Sequence, residues 1–489
     1  MAYNHGVKVS EVPTSIQPPV EVSAGIPLIV GAAPINMTDT TNVNKPKLCY
    51  SYDEAVAAFG FVSAVEEANT GLKKYEYSIS EAIYSQFALY GVSPVIIINV
   101  LDPTKHKVTA TTTSVTLDTK TGSATIKETG IIPSSVTIDS YAKDTDYKLT
   151  FDKDGNLVIS SLVDTSGKFK VTTGSSLTLS AEKVDPSKVT AEDIIGGVDT
   201  TGNKSGLELI DECFPRFRLV AGNIIAPGYS ENPTVAAVMA AKAESINEVY
   251  KASALIDVPT DTVKQYTDVP TWKNNNNVTD KNQVVLFPML ASGGVKYHYS
   301  TQLAGLMGKV DAEHGDVPYY SPSNQNLVMD AAVLADGTEV WLDQPKANYL
   351  NGEGVVTAIN FIGGWKCWGN RTACYPANTD VKDAFISVRR MFNWIGNTFV
   401  QTFWKDVDAP LNRRQIDTIV DSANIWLNGL AAQGYILGGR VEFLASENST
   451  ADLMDGKARF HVYVTPPSPN REIDFILEYD PAYVQTLFS

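Results

Sequence analysis

Residues 80–101 read SEAIYSQFALYGVSPVIIINVL, and this stretch decides the fold class. Ile83 and Phe87, with Tyr84 beside them, recur at helical spacing over Ser80 to Leu89. Val95 to Ile98 is instead an unbroken apolar run, the pattern of a strand covered on both faces. A helix feeding a core strand is the repeating step of an α/β sheet. Upstream, the apolar run Ile26 to Ala33 predicts a buried strand, and Tyr52 to Val56 begins a short helix. The same alternation resumes far downstream, with strands at Leu219 to Ala226, Ala254 to Val258 and Val284 to Pro288. An Ala-rich helix at Asn232 to Ala252 lies among them. These segments predict an α/β core sheet domain over residues 21–102 and 191–379.

The interruption has a different composition. After Pro103 the chain turns to Thr, Ser, Lys and Val in short alternating runs such as Ser135 to Ile138 and Tyr147 to Phe151. Asp154-Gly155-Asn156 joins two of them as a hairpin. Residues 103–190 therefore read as an inserted all-β module on the surface. A second change comes near residue 380. Val381, Ala384/Phe385, Val388, Phe392, Ile395 and Phe399 keep helical spacing, as do Ile416, Ile419/Val420, Ala423, Leu427 and Leu430, closed by Gly434. Strands are expected at about 436–444, 458–465 and 472–479, completing a C-terminal α+β domain over 380–479. Residues 1–20 and 480–489 alternate weakly and carry no core of their own, so they read as extended N- and C-terminal arms.

Composition narrows the function classes. Of 489 residues, 44% are hydrophobic and 19% charged, enough apolar material for several cores. Lys and Arg number 39 against 55 Asp and Glu, a net charge of −16 that repels phosphate backbones and argues against nucleic acid as a direct ligand. No apolar run approaches the ~20 residues that cross a bilayer. The start, MAYNHGVKVSEVPTSIQPP, has neither a basic opening nor an apolar stretch of the secretory kind, which predicts synthesis ending in the cytoplasm. Cys49, Cys213, Cys367 and Cys374 are too scattered for a disulfide framework and read as reduced, buried thiols.

Candidate chemistry is sparse. Gly197 to Ser205 approaches a phosphate-binding loop, but Asn203 separates Gly202 from Lys204, and that spacing misplaces the lysine. Cys367 and Cys374 have no neighbouring histidine, and the five histidines are dispersed, so no metal site or cofactor is expected. Asp311, His314 and Asp316 are candidates to orient one another near Ser300, yet no nucleophile-elbow pattern surrounds any serine. Arg389, Arg390, Arg413 and Arg414 fall largely off the apolar stripes of their helices. On an acidic chain they are candidate contacts to an acidic partner.

Several passages in order resemble the contractile tail sheath proteins of bacteriophages and of phage-tail-like bacteriocins. They are Gly6 to Pro13 running to Ile29-Val30-Gly31, Gly196-Gly197-Val198-Asp199 with Gly206, and Ala226-Pro227-Gly228. Ile256 to Pro259 and Ser300 to Asp311 with Gly315 follow, then Ser321-Pro322-Ser323-Asn324, where the family often has an Ala-Pro-Ala-Asn sequence. Trp368-Gly369-Asn370-Arg371-Thr372 is the most specific, followed by Ile386 to Arg390 and Gly434 to Gly439. Residues 103–190 match nothing shared by the family. The resemblance implies a non-enzymatic subunit of a helical, six-fold sheath of stacked rings around a tail tube, contracting to drive the tube through a cell envelope. Partners would be further copies of the chain, the tail tube protein, and baseplate and tail terminator proteins. Assembly would occur in the host bacterial cytoplasm, and the particle tail would be the final location. Because both ends lack a core, Val7, Val9 and Val12, and Tyr483, Val484 and Leu487 in the tail, are expected to add as strands to neighbouring subunits near 458–479. Arg389, Arg390, Arg413 and Arg414 would contact the tube or a neighbour. The rivals are an α/β phosphate-binding enzyme using residues 196–206, and a non-contractile surface or adhesion protein using residues 103–190.

Overall fold

The apolar run after Pro94 forms the second strand in from one edge of an eight-stranded sheet. The structure, a computed structural model, describes residue 20 and residues 22–488. In chain order the strands are β1 (Pro27–Gly31), β2 (Lys47–Cys49), β3 (Val95–Asn99), β4 (Asn223–Ile225), β5 (Ser253–Asp257), β6 (Gln283–Leu286), β7 (Val355–Phe361) and β8 (Gly364–Trp368). In space they run β2-β3-β1-β4-β5-β6-β7-β8. All neighbours are parallel except the two outer pairs, β2 with β3 and β7 with β8. Every residue of β1, β3, β4, β5 and β6 is buried, as a sheet covered on both faces requires.

Helices supply the cover. α1 (Ser78–Ile83) packs on β1, and α2 (Tyr299–Glu313) packs on β1, β4 and β5. The helix expected at Ser80 to Leu89 is present, but from Tyr84 to Leu89 it widens into a π-helical turn. That turn rotates Ser85 and Gln86 inward in place of Phe87, and both donate to the Thr301 carbonyl, at 3.2 and 2.7 Å. The helix expected to reach Ala252 stops at Glu244, because Asn247 and Glu248 take left-handed backbone conformations that no helix continues through.

Between residues 107 and 184 lie two three-stranded antiparallel sheets around a separate apolar cluster that includes Val115, Tyr147, Leu157, Ile159 and Leu179. The Asp154-Gly155-Asn156 turn forms as the residue types dictate. Asp152 Oδ1 accepts from the backbone N–H of Asp154 and Asn156, each at 2.9 Å, and Gly155 has φ +81°. After residue 380 come α3 (Ile386–Phe403) and α4 (Arg413–Ala432), followed by an antiparallel pair, β9 (Gly438–Glu442) and β10 (His461–Thr465). Asn412 caps α4 by accepting from Gln415 N at 3.0 Å, and Gly434 ends it with φ +81°.

Candidate assembly interface

The chain enters its first strand strapped along α3. Arg390 Nη2 donates to the Ala24 carbonyl at 3.2 Å, Trp394 Nε1 donates to the Val22 carbonyl, and Val20 N donates to Thr402 Oγ1 at 3.0 Å. As residue numbers fall from 24 to 20, the partners climb from 390 to 402, so the segment leaves toward the C-terminal end of the helix. Gly222 permits this path: a Cβ there would lie 1.8 Å from the Ala24 carbonyl oxygen. Val7, Val9 and Val12, expected to add to a neighbour, lie outside the described residues.

Arg389 and Arg390 are buried, which corrects the expectation that they face a tube or a neighbour. Arg389 Nη1 pairs with Asp383 Oδ1 at 3.0 Å and its Nε donates to Asn393 Oδ1 at 3.1 Å. Arg390 pairs with Asp311. Helical spacing places both off the main stripe, but it does not reveal that two carboxylates from elsewhere meet them there. Arg413 and Arg414 are exposed. Among the described residues Arg413 pairs with Asp417, one turn on, at 2.9 Å. Both occupy the first turn of α4, where the helix dipole disfavours cations.

The two-stranded sheet after α4 is open on one side. Asn424 closes the β9 edge, its amide donating to the Val441 carbonyl at 3.0 Å and accepting from Val441 N at 2.7 Å. Val462, opposite Val441, then turns its backbone groups to the outer side of β10 by the alternation of an antiparallel ladder. The third strand expected at 472–479 is not formed. Ile473, Phe475, Leu477 and Tyr479 do alternate, but no edge among the described residues receives them. Phe475, Ile476 and Leu477 are 81%, 88% and 93% exposed. Beyond them Pro481–Phe488 coils into a 3-10 helix on which Tyr483, Val484 and Leu487 are exposed.

The C-terminal ends of the parallel strands, where an open α/β sheet would take a ligand, are filled. His298 Nδ1 meets Glu81 Oε2 at 2.8 Å, its Nε2 lies 4.0 Å from Glu231, and buried Asp257 accepts from Ser300 N at 2.8 Å and from Ser230 Oγ at 3.2 Å. Burial pushes the Glu231 carboxyl up to about 7. Of the candidate set, Asp311, His314 and Asp316 share one turn, the Asp311 carbonyl accepting from the N–H of the other two, but Ser300 lies at the opposite end of α2 and binds Asp257, while the Asp311 carboxylate binds Arg390. The Gly-rich loop is a short hairpin, Gly197–Val198 against Lys204–Ser205, with Lys204 Nζ 3.6 Å from Asp211. The four cysteines are buried and free, and burial pushes the Cys367 thiol up to about 12. No helix among the described residues is long and apolar enough to cross a membrane.

No protein-family profile matches the chain. The tail sheath protein of Burkholderia phage BcepMu is 27% identical over 502 aligned positions, covering 99% of this chain and 98% of that protein. The chain is similar along its whole length to a phage tail sheath protein. A putative prophage major tail sheath protein of Pseudomonas aeruginosa strain UCBPP-PA14 is 25% identical over 61% of the chain and 75% of that protein. In fold, the chain is similar to the sheath complex of the extracellular contractile injection system PVC in its contracted state, with TM-score 0.58, 12% identity and 99% of each chain covered. The contracted helical sheath of the anti-feeding prophage gives TM-score 0.57 and 14% identity over 98% of this chain and 100% of that one. The sheath homologues are structural proteins, and this chain is a structural protein rather than an enzyme. Sequence reasoning missed the Arg390–Asp311 pair and the strap on residues 20–24. The one available signal was the polar content of α3, where Arg390, Asn393 and Thr402 interrupt the apolar pattern.

Proposed function

We propose that the chain is the repeating subunit of a contractile tail sheath, built as stacked six-membered rings around a tail tube and shortening to drive the tube through a target envelope. The observation that carries this reading is the end-to-end match to a phage tail sheath protein, 99% of one chain against 98% of the other. Residues 103–190 are a surface insertion and residues 21–102 with 191–379 the α/β body, while residues 380–479 carry the assembly functions. The open edge of β10 and the unpaired, alternating tail support strand exchange between copies, because each is half of a ladder. Val7, Val9 and Val12 from one neighbour, and the tail through Tyr483, Val484 and Leu487 from another, join that edge. These tethers persist while the bodies rearrange. A coupling of ~1–2 kcal/mol per subunit, multiplied over about a hundred copies, amounts to on the order of 100 kcal/mol.

Arg413 and Arg414 are exposed on a helix start that does not benefit from them, and Trp404 and Val407, shortly before it in the chain, are exposed as well. This region is the proposed contact to the tube or to an acidic neighbour. Baseplate and terminator proteins bound the polymer at its ends, and assembly takes place in the host cytoplasm before release of the particle. A similar fold occurs in the baseplate structure of the anti-feeding prophage, at TM-score 0.56. Truncation after Arg471 tests the tethering. The expected product is a folded protein that forms no tubes, and tubes of normal length from the truncated chain would overturn the proposal.

A further inference from the structure

A groove of about 810 Å³ opens beside the root of the tail, between the Trp368 to Tyr375 loop and the Pro467 to Glu472 segment. Arg371 lines it, with its guanidinium 4.3 Å from the ring centre of Tyr375 and 3.8 Å from that of Phe385. Two rings fix the plane of the group and leave its N–H edge to the groove. Among the described residues the Arg371 guanidinium has no hydrogen-bond or ion-pair partner. Arg471 lines the same groove and pairs only with its neighbour Glu472, at 3.2 Å. Burial, together with the nearby charge of Arg471, lowers the Arg371 pKa. A guanidinium held between two rings, with a second one nearby, suits carboxylates.

The tail supplies carboxylates on one side only. In an extended chain Ile473, Phe475, Leu477 and Tyr479 share one face, while Glu472, Asp474, Glu478 and Asp480 share the other with Ile476. All are exposed in the subunit. A tail added beside β10 continues past Thr465 along the Pro467 to Glu472 wall, so its apolar face and its acidic face meet different surfaces of the receiving copy. We propose that the acidic face of a second copy's tail docks in this groove, with Arg371 and Arg471 reading its carboxylates and so fixing the register and facing of the added strand. A one-residue slip would turn Ile473, Phe475, Leu477 and Tyr479 toward the guanidiniums, which makes the pair of arginines a guard against misregistered tethers.

The inference rests on the sheath reading and is tested by charge exchange in the full chain. Arg471→Glu and, separately, Asp474→Lys with Glu478→Lys are each expected to raise the concentration at which tubes sediment by about tenfold, the scale of a charge-assisted pair. Combined, they are expected to restore sedimentation close to that of the parent. Arg371→Glu should act in the same direction, and Arg371→Lys, which keeps the charge but loses the fork, should give a partial loss. Single variants that sediment like the parent, or a combination no better than either half, would overturn the docking. Failure of the parent chain itself to form tubes would instead overturn the sheath reading.

Discussion

Arg390 and Asp311 meet side by side in the interior, with Arg390 Nη1 donating to Asp311 Oδ1 at 3.0 Å and Nη2 to the other carboxylate oxygen. The side chains are 3% and 1% exposed, so neither charge has water to fall back on. Removing one partner strands the other. Arg390→Ala or Asp311→Ala is expected to lower stability by about 3–5 kcal/mol in urea denaturation. Because Arg390 also holds the Ala24 carbonyl, its loss should speed proteolysis near residue 24 more than Asp383→Ala does.

The strap on residues 20–24 gives a milder and more local prediction. Trp394→Phe keeps most of the ring packing but removes the N–H that reaches the Val22 carbonyl. A loss of about 0.5–1.5 kcal/mol is expected, with faster cleavage of the segment before β1 under native conditions.

Gly222→Ala should strike the same place by overpacking, since the added methyl would sit against the Ala24 carbonyl oxygen. The expected cost is about 1–3 kcal/mol, read as a lower midpoint in denaturant.

The cluster at the ends of the strands predicts a pH dependence. Burial alone would strip the proton from His298, but Glu81, in contact with it, and the charges of Asp257 and Glu231 outweigh burial and raise its pKa to about 10. A raised histidine contributes fully below its ordinary value of 6.5 and loses that contribution as pH climbs through 10. Glu231, raised to about 7, likewise favours the folded state at low pH and loses that contribution as pH rises through 7. The stability gap between the parent and His298→Gln is therefore expected to be widest near pH 6.5 and to shrink toward pH 10. A gap that widened over that range would contradict the arrangement.

Much of the architecture was legible because it rests on short-range patterning. Val95–Asn99, Ser253–Asp257, Gln283–Leu286 and both C-terminal helices lie within a few residues of their predicted positions. α2 was not legible as a helix. Its inward positions include Ser300, Thr301, Gln302 and Asp311, and their tolerance of burial depends on Asp257, Glu81 and Arg390, residues far away in sequence. The small five-stranded sheet that includes Met289–Ser292 and Val295–Tyr297 was missed as well, although Gly293-Gly294 is a plain hairpin turn. Its strands are too short for periodicity to register. The tail shows the converse. Its alternation is real, yet a strand needs a partner, and none of the described residues provides one.

Reversing Arg413 and Arg414 to Glu probes the outer contact. Both are exposed, so stability should change little, within about 0.5 kcal/mol, while decoration of the tail tube should fall. Unchanged decoration would remove these residues from the interface.

Electron microscopy of the purified full chain, concentrated without any partner, tests whether this chain builds a sheath. Ring stacks or hollow tubes with six-fold helical symmetry are expected. A protein that stays strictly monomeric at every concentration, with its tail folded onto its own β10 edge, would contradict this expectation.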